Sequence, residues 1–320
     1  MKTISTVLFS VLLLCGSAFA QAVSLTKTET GFEIMTDGKP FANYVADENG
    51  TPIVWPIYGP IGIKMTRDYP MLNGTPGEPN DHPHHRSLWF NHGEVNGYDF
   101  WAFPRDTKKQ GAIRQDRVVK AESSDTATLI TENSWITPDK TVLCSDTRII
   151  TFGVNQYGRF IDFDIKLTAV ADSVHFGDTK EGSFALRVAS SMDVEAKKRD
   201  SKKEGGKITN AQGQTDDDTW GKRSAWCDYS GPVDGKTVGV TIMNHPSSFR
   251  YPTYWHVRTY GLFAANPFGE HDFENKKEKT GELTLKKGES ITLKYRVLFH
   301  SGDADSLDLK KAFEEYCNSK

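Results

Sequence analysis

Period-two alternation of apolar and polar residues is the strongest pattern in this chain, and it predicts half-buried β-strands. Phe32 and Ile34 lead into Asp37-Gly38, a hairpin signal, and Phe41 begins the return strand. Between Phe160 and Leu167 the alternation is clean, with Ile161, Phe163, Ile165 and Leu167 on one face. Leu283 and Leu285 precede a Lys286-Lys287-Gly288-Glu289 turn, and Ile291, Leu293, Tyr295, Val297 and Phe299 follow on one face, which reads as a closing hairpin. Thr126 to Thr131 and Asp146 to Phe152 read as further strands. One helix signal stands out at the end, where Leu309, Ala312, Phe313 and Tyr316 fall at helical spacing behind an Asp305 or Ser306 cap. Many short strands and one short C-terminal helix predict an all-β protein, a large antiparallel β-sandwich.

Residues 1–20 depart from this pattern and read as an export signal. Lys2 supplies the charged start, Val7 to Cys15 is mostly apolar, and Ala18-Phe19-Ala20 is a small-x-small cleavage site. Cleavage after Ala20 would leave a single domain, residues 21–320, in the periplasm or outside the cell. Leu14 stands before Cys15 where a lipobox needs a small residue, so plain secretion is expected. No later apolar run is long enough to span a bilayer as a helix. The remaining cysteines, Cys144, Cys227 and Cys317, allow one disulfide or none. Formal charge is −3 with both signs interspersed, which argues against the basic stripe of a nucleic-acid binder. Lys197 to Lys207 reads as a solvated loop, and nothing in the pattern speaks to oligomeric state.

Against this background one segment is chemically dense. Asp81-His82-Pro83-His84-His85-Arg86-Ser87-Leu88-Trp89-Phe90-Asn91-His92-Gly93-Glu94 places four of the nine histidines within eleven residues. Histidine titrates nearest neutrality and is the commonest metal ligand, so the cluster marks a site. Further mixed polar, aromatic and glycine segments are Gly177-Asp178-Thr179-Lys180-Glu181-Gly182, Trp220-Gly221-Lys222-Arg223, and Tyr254-Trp255-His256-Val257-Arg258. Acid–base chemistry is the first use these residues suggest. His84, His85 and His256 would move protons near neutral pH, Arg86 and Arg258 would steady negative charge, and Asp178 or Glu181 would complete the pair. A metal is the second use. His82 and His84 on an extended strand share a face, Pro83 favours extension at His82, and His256, Glu94 or Asp178 could add a third ligand to a divalent ion. The spacing matches none of the strong zinc signatures, so no cofactor is assigned.

Aromatic residues set among polar ones suggest a sugar or glycan as partner, held on Trp89 and Trp220 with His92, Asn96, Lys180 and Arg223 as hydrogen-bonding contacts. No serine elbow, phosphate loop or dinucleotide fingerprint is present. The run from Asp81 to Phe90, with His92-Gly93, Val95-Asn96-Gly97, Gly177 to Gly182, Trp220 to Arg223 and the Arg250 to Gly269 region, resembles exported bacterial proteins labelled PmoA-like. That label implies a metal-dependent oxygenase or hydrolase, whereas the strand pattern resembles the supersandwich of galactose-mutarotase-like proteins. The latter implies carbohydrate chemistry: lyase, hydrolase or epimerase action, or carbohydrate binding without catalysis. The resemblance carries no catalytic residues with it.

Overall fold

The computed structural model describes residues 23–103, 108–199, 201 and 204–319; the expected export signal lies outside them. Two eight-stranded antiparallel sheets face each other. The first runs edge to edge through Val23–Lys27, Gly31–Thr36, Lys39–Val45, Ile53–Ile57, Leu88–His92, Gly182–Arg187, Leu262–Asn266 and Tyr254–Val257. The second runs through Lys207–Asn210, Trp226–Val233, Lys236–Asn244, Ser290–Ser301, Gly158–Ala169, Val142–Asn155, Ala127–Ile136 and Ala112–Ser123. The fold is the all-β sandwich that alternation predicts. Among the described residues, no helix is long and apolar enough to cross a membrane.

Alternation sets which residues lie between the sheets. Ile161, Phe163, Ile165 and Leu167 from one strand, and Leu293, Tyr295, Val297 and Phe299 from its neighbour, are buried and belong to one core. They meet Leu88, Phe90, Phe184, Leu186, Phe263 and Trp255 of the first sheet. Phe184 marks the junction, stacked on Tyr295 at 4.6 Å and edge to face with Phe163 at 5.0 Å between ring centroids. Because Phe184 is fully buried, Phe184→Ala is expected to lower the unfolding free energy by about 3–5 kcal/mol, measured by urea titration. A loss under 1 kcal/mol would mean the two sheets do not depend on this contact.

Local chemistry accounts for several boundaries. Asp37 and Gly38 both take positive φ (49° and 69°), as a two-residue hairpin turn requires. The C-terminal helix spans Leu309–Asn318 and starts later than the Asp305 or Ser306 cap implies. Asp308 caps it, its carboxylate accepting from the Lys311 N–H at 2.9 Å, while Asp303 and Ser306 close a separate capping box just before. Leu309, Ala312 and Tyr316 dock on Phe160, Met243 and Leu298, the outer face of the second sheet. The closing hairpin is different from expectation. Leu283–Lys286 pairs with Ser173–Phe176 in a separate two-stranded sheet, and only the strand after the turn joins the sandwich. Cys144, Cys227 and Cys317 are free thiols.

Candidate active site

Strand register puts the site on the outer face of the first sheet. Ile53 pairs with Trp89, Trp89 with Ala185, Ala185 with Ala264, and Ala264 with His256, so the five share one row. Neighbours in sequence point inward: Leu88 and Phe90, Phe184 and Leu186, Phe263 and Ala265, Trp255 and Val257. The outward row is therefore free of the main core and forms its own cluster with Trp101 and Leu262. Two alanines between Trp89 and His256 leave low ground over which loops can close. The cleft of ≈350 Å³ above it is lined by His82, His84, His85, Asp99, Trp101, Ala102, Lys180, Glu181, His256, Arg258, Tyr260 and Leu262.

The histidine segment enters as a turn rather than a strand. His82 has a φ of 45°, and the His85 N–H donates to the His82 carbonyl at 3.0 Å. The extended geometry expected from Pro83 is thus not adopted, and His82 and His84 meet edge to face at 5.7 Å. His82 stacks on His85 (4.8 Å) and on Tyr260 (4.9 Å), and His85 stacks on Trp89 (5.7 Å), which makes an aromatic wall. Among the described residues, no three His, Cys, Asp or Glu side chains are grouped to hold a metal ion. Of the third ligands expected beside His82 and His84, Asp178 is engaged elsewhere, Glu94 lies against Gly177, and His256 shares the cleft without completing a ligand group.

Hydrogen bonds assign the tautomers of two histidines. Arg187 can only donate, and its Nη1 lies 2.9 Å from His85 Nδ1, so neutral His85 carries its proton on Nε2. The Lys180 carbonyl can only accept, and it lies 2.8 Å from His256 Nδ1, so His256 carries its proton there. Its Nε2 lone pair is left for the cleft. Burial is the main cause that pushes His84 and His256 down to about 4 and His85 well below its ordinary value. These side chains are neutral at pH 7, against the expectation of titration near neutrality. Beneath them Arg187, fully buried, is pushed down to about 10 by burial and by Arg67. Burial also raises Asp81, but Arg187 and Arg67 outweigh it and hold that carboxyl below the usual aspartate value.

The Gly177 to Gly182 loop delivers Lys180 and Glu181, and other expected site residues serve to hold it. His92 donates from Nε2 to the Gly177 carbonyl at 2.8 Å and accepts from Ser183 Oγ at 3.3 Å. A Cβ at Gly182 would lie 2.6 Å from His92 Nδ1, and one at Gly93 would lie 2.8 Å from the Glu181 carbonyl, so both glycines permit close approach. Asp178 is buried and accepts from the His271 N–H (2.9 Å) and the Gly281 N–H (2.7 Å). Asn266 donates to the Thr179 carbonyl, and Asp272 accepts from the Lys180 N–H. Lys180 and Glu181 form a 3.0 Å ion pair at the cleft.

The cleft thus brings together His82, His84, His85, Lys180, Glu181, His256 and Arg258 from three distant stretches of sequence. Trp220 stands beside it, edge-on to His256 at 6.4 Å. Arg86 is turned away and donates to the Glu48 carbonyl while lying over Phe103. Trp89 is buried one layer below the lining. Asn96 occupies a positive-φ turn bonded to Ser173 and His175, and Arg223 donates to the carbonyls of Pro252 and Arg250. Arg187, Tyr260, Trp101 and Asp99 lie within or beside the mixed polar and aromatic segments, but the sequence alone assigns them no role in a site. Arg187 carried one signal, a lone charge closing the apolar run Phe184-Ala185-Leu186.

Comparison with solved structures finds distant likenesses. A heparan sulfate lyase from Pedobacter heparinus is 9% identical with a TM-score of 0.37, over 89% of this chain and 36% of that one. A galactose mutarotase-like protein from Lactobacillus casei is 12% identical with a TM-score of 0.30, over 87% of this chain and 100% of that one. The chain thus spans 36% of the length of the first of these. Similarity at such scores carries no argument about activity. No curated protein matches. A family model covers residues 31–314, and the chain belongs to that family, a family of unknown function (DUF6807).

Proposed function

We propose that this protein is an exported carbohydrate-active enzyme that works on a sugar or glycan by acid–base chemistry. The observation that carries the reading is His256: its Nδ1–H is fixed on the Lys180 carbonyl, and its Nε2 lone pair is left to a cleft shared with Glu181 and Arg258. A neutral imidazole with one nitrogen fixed is a positioned proton acceptor. Glu181 supplies a carboxylate on the same side, and its negative charge favours the imidazolium that forms when His256 accepts a proton. Donors line the same cleft. His85 offers Nε2–H, and Tyr260 offers a hydroxyl that burial keeps protonated.

The wall of His82, Tyr260 and Trp101 suits a sugar ring, which presents apolar C–H faces to aromatic rings and hydroxyls to polar groups. Product analysis tests the proposal. Incubated with a panel of oligosaccharides, the mature protein should convert at least one, with chain cleavage marking a lyase or hydrolase and isomerisation an epimerase. Tight binding of an oligosaccharide that is recovered unchanged would make the cleft a binding site alone.

A further inference from the structure

The charges in and around the cleft are matched, with one exception. Lys180 is paired with Glu181 at 3.0 Å. Asp99 accepts from the backbone N–H groups of Trp101 (2.7 Å) and Ala102 (3.0 Å). Asp81 lies between Arg67 and Arg187, and Arg187 also donates to His85 and lies over the Tyr260 ring, 5.1 Å from its centroid. Arg258 is different. Its guanidinium lies over two aromatic rings, 5.8 Å from Trp220 and 5.7 Å from Tyr260, and it is half-buried. Among the described residues, no carboxylate or carbonyl accepts a hydrogen bond from it.

An arginine packed against aromatic faces keeps its planar fork of N–H donors, and that fork matches a carboxylate or sulfate bidentately. The rings fix its position without neutralising it. In a cleft where the other fixed charges already have partners, the group that completes Arg258 comes with the substrate.

We propose that the substrate is an anionic sugar whose carboxylate or sulfate oxygens dock on Arg258 between Trp220 and Tyr260. This inference rests on the carbohydrate reading above and narrows it to acidic glycans. The sugar ring would extend from Arg258 past His256, two residues before it in sequence, and onto the two-alanine floor that begins at Ala264, the cross-strand partner of His256.

Calorimetric binding to the mature protein separates the cases, using three probes: an unsulfated uronate oligosaccharide, a sulfated neutral oligosaccharide and an unsubstituted neutral one. One of the two anionic probes is expected to bind at least about tenfold more tightly than the neutral probe, the strength of one charged hydrogen-bonding contact. A uronate preference identifies a carboxylate, and a preference for the sulfated probe identifies a sulfate ester. Arg258→Gln should abolish the preference, and Arg258→Lys, which keeps the charge, should retain part of it. Equal affinity for all three probes, or a preference that survives in Arg258→Gln, would overturn the inference. Conversion of a neutral oligosaccharide with no anionic preference would defeat it while leaving the acid–base reading standing. Should Arg258→Gln fail to fold, the three-probe comparison on the unaltered protein still decides.

Discussion

His256→Gln is expected to lower turnover by about 10²- to 10⁴-fold, the usual worth of a positioned proton-transfer group. Glutamine retains bulk and an amide that can donate to the Lys180 carbonyl, so the effect isolates the lost Nε2 lone pair. Affinity should change little, because the aromatic wall and Arg258 are untouched, and the loss should fall on kcat rather than KM. The pH profile supplies a second readout. With His256 held down at about 4, the side chain is already in its accepting form throughout the neutral range. Activity should therefore not decline through protonation of this group between pH 8 and pH 6. Turnover in the variant within about threefold of the parent would show that His256 is a strut.

Acidification is expected to destabilise the fold strongly. His92 and His256 are buried (1% and 3% exposed), and burial lowers both to about 4 from an ordinary 6.5. Between these values the unfolded chain binds a proton at each position and the native chain does not. Stability therefore rises with pH across this window and is lost as pH falls from about 6.5 toward about 4. Each group should cost about 2–3 kcal/mol by pH 4.5, or about 5 kcal/mol together. That is a large share of the about 5–15 kcal/mol typical of a folded domain. His300 acts in the opposite direction. Its Nε2 lies 2.8 Å from the buried Asp228 carboxylate, and although burial opposes it, Asp228 raises its pKa. Its contribution is therefore complete at low pH and fades only as pH rises through that raised value. Urea unfolding at pH 7 and pH 4.5 measures the balance, and equal stability at the two would contradict it.

The fold was legible because alternation is a direct imprint of a two-faced strand. Phe163 and Leu293 are buried for the reason their spacing indicates. The partner of Leu283–Lys286 was not legible, since period two says which face a strand buries and nothing about which strand lies beside it. For the site, the histidine cluster is dense in sequence, but its members are placed differently in the fold. His84, His85 and His256 reach one cleft, while His92, as conspicuous in sequence, holds the loop that carries Glu181. Asp178 sits three residues from Glu181 and looks equivalent, yet backbone N–H groups consume its carboxylate. Arg187 and Tyr260 fall in or near candidate segments of the sequence, but their place at the site follows only from the register that brings Gly182–Arg187 beside Leu262–Asn266. The positive φ at His82 depends on the turn that closes onto His85, against the local bias that Pro83 imposes.

The central claim is that His256 and Glu181 act together on a bound sugar. Single-turnover rates for the parent, His256→Gln, Glu181→Gln and the double variant, on one converted oligosaccharide, test it most directly. If the two groups serve one step, each single variant is strongly impaired and the double variant is scarcely slower than the worse single, because groups acting as a unit are non-additive. Parent-like rates in both single variants would place the chemistry elsewhere and contradict the account.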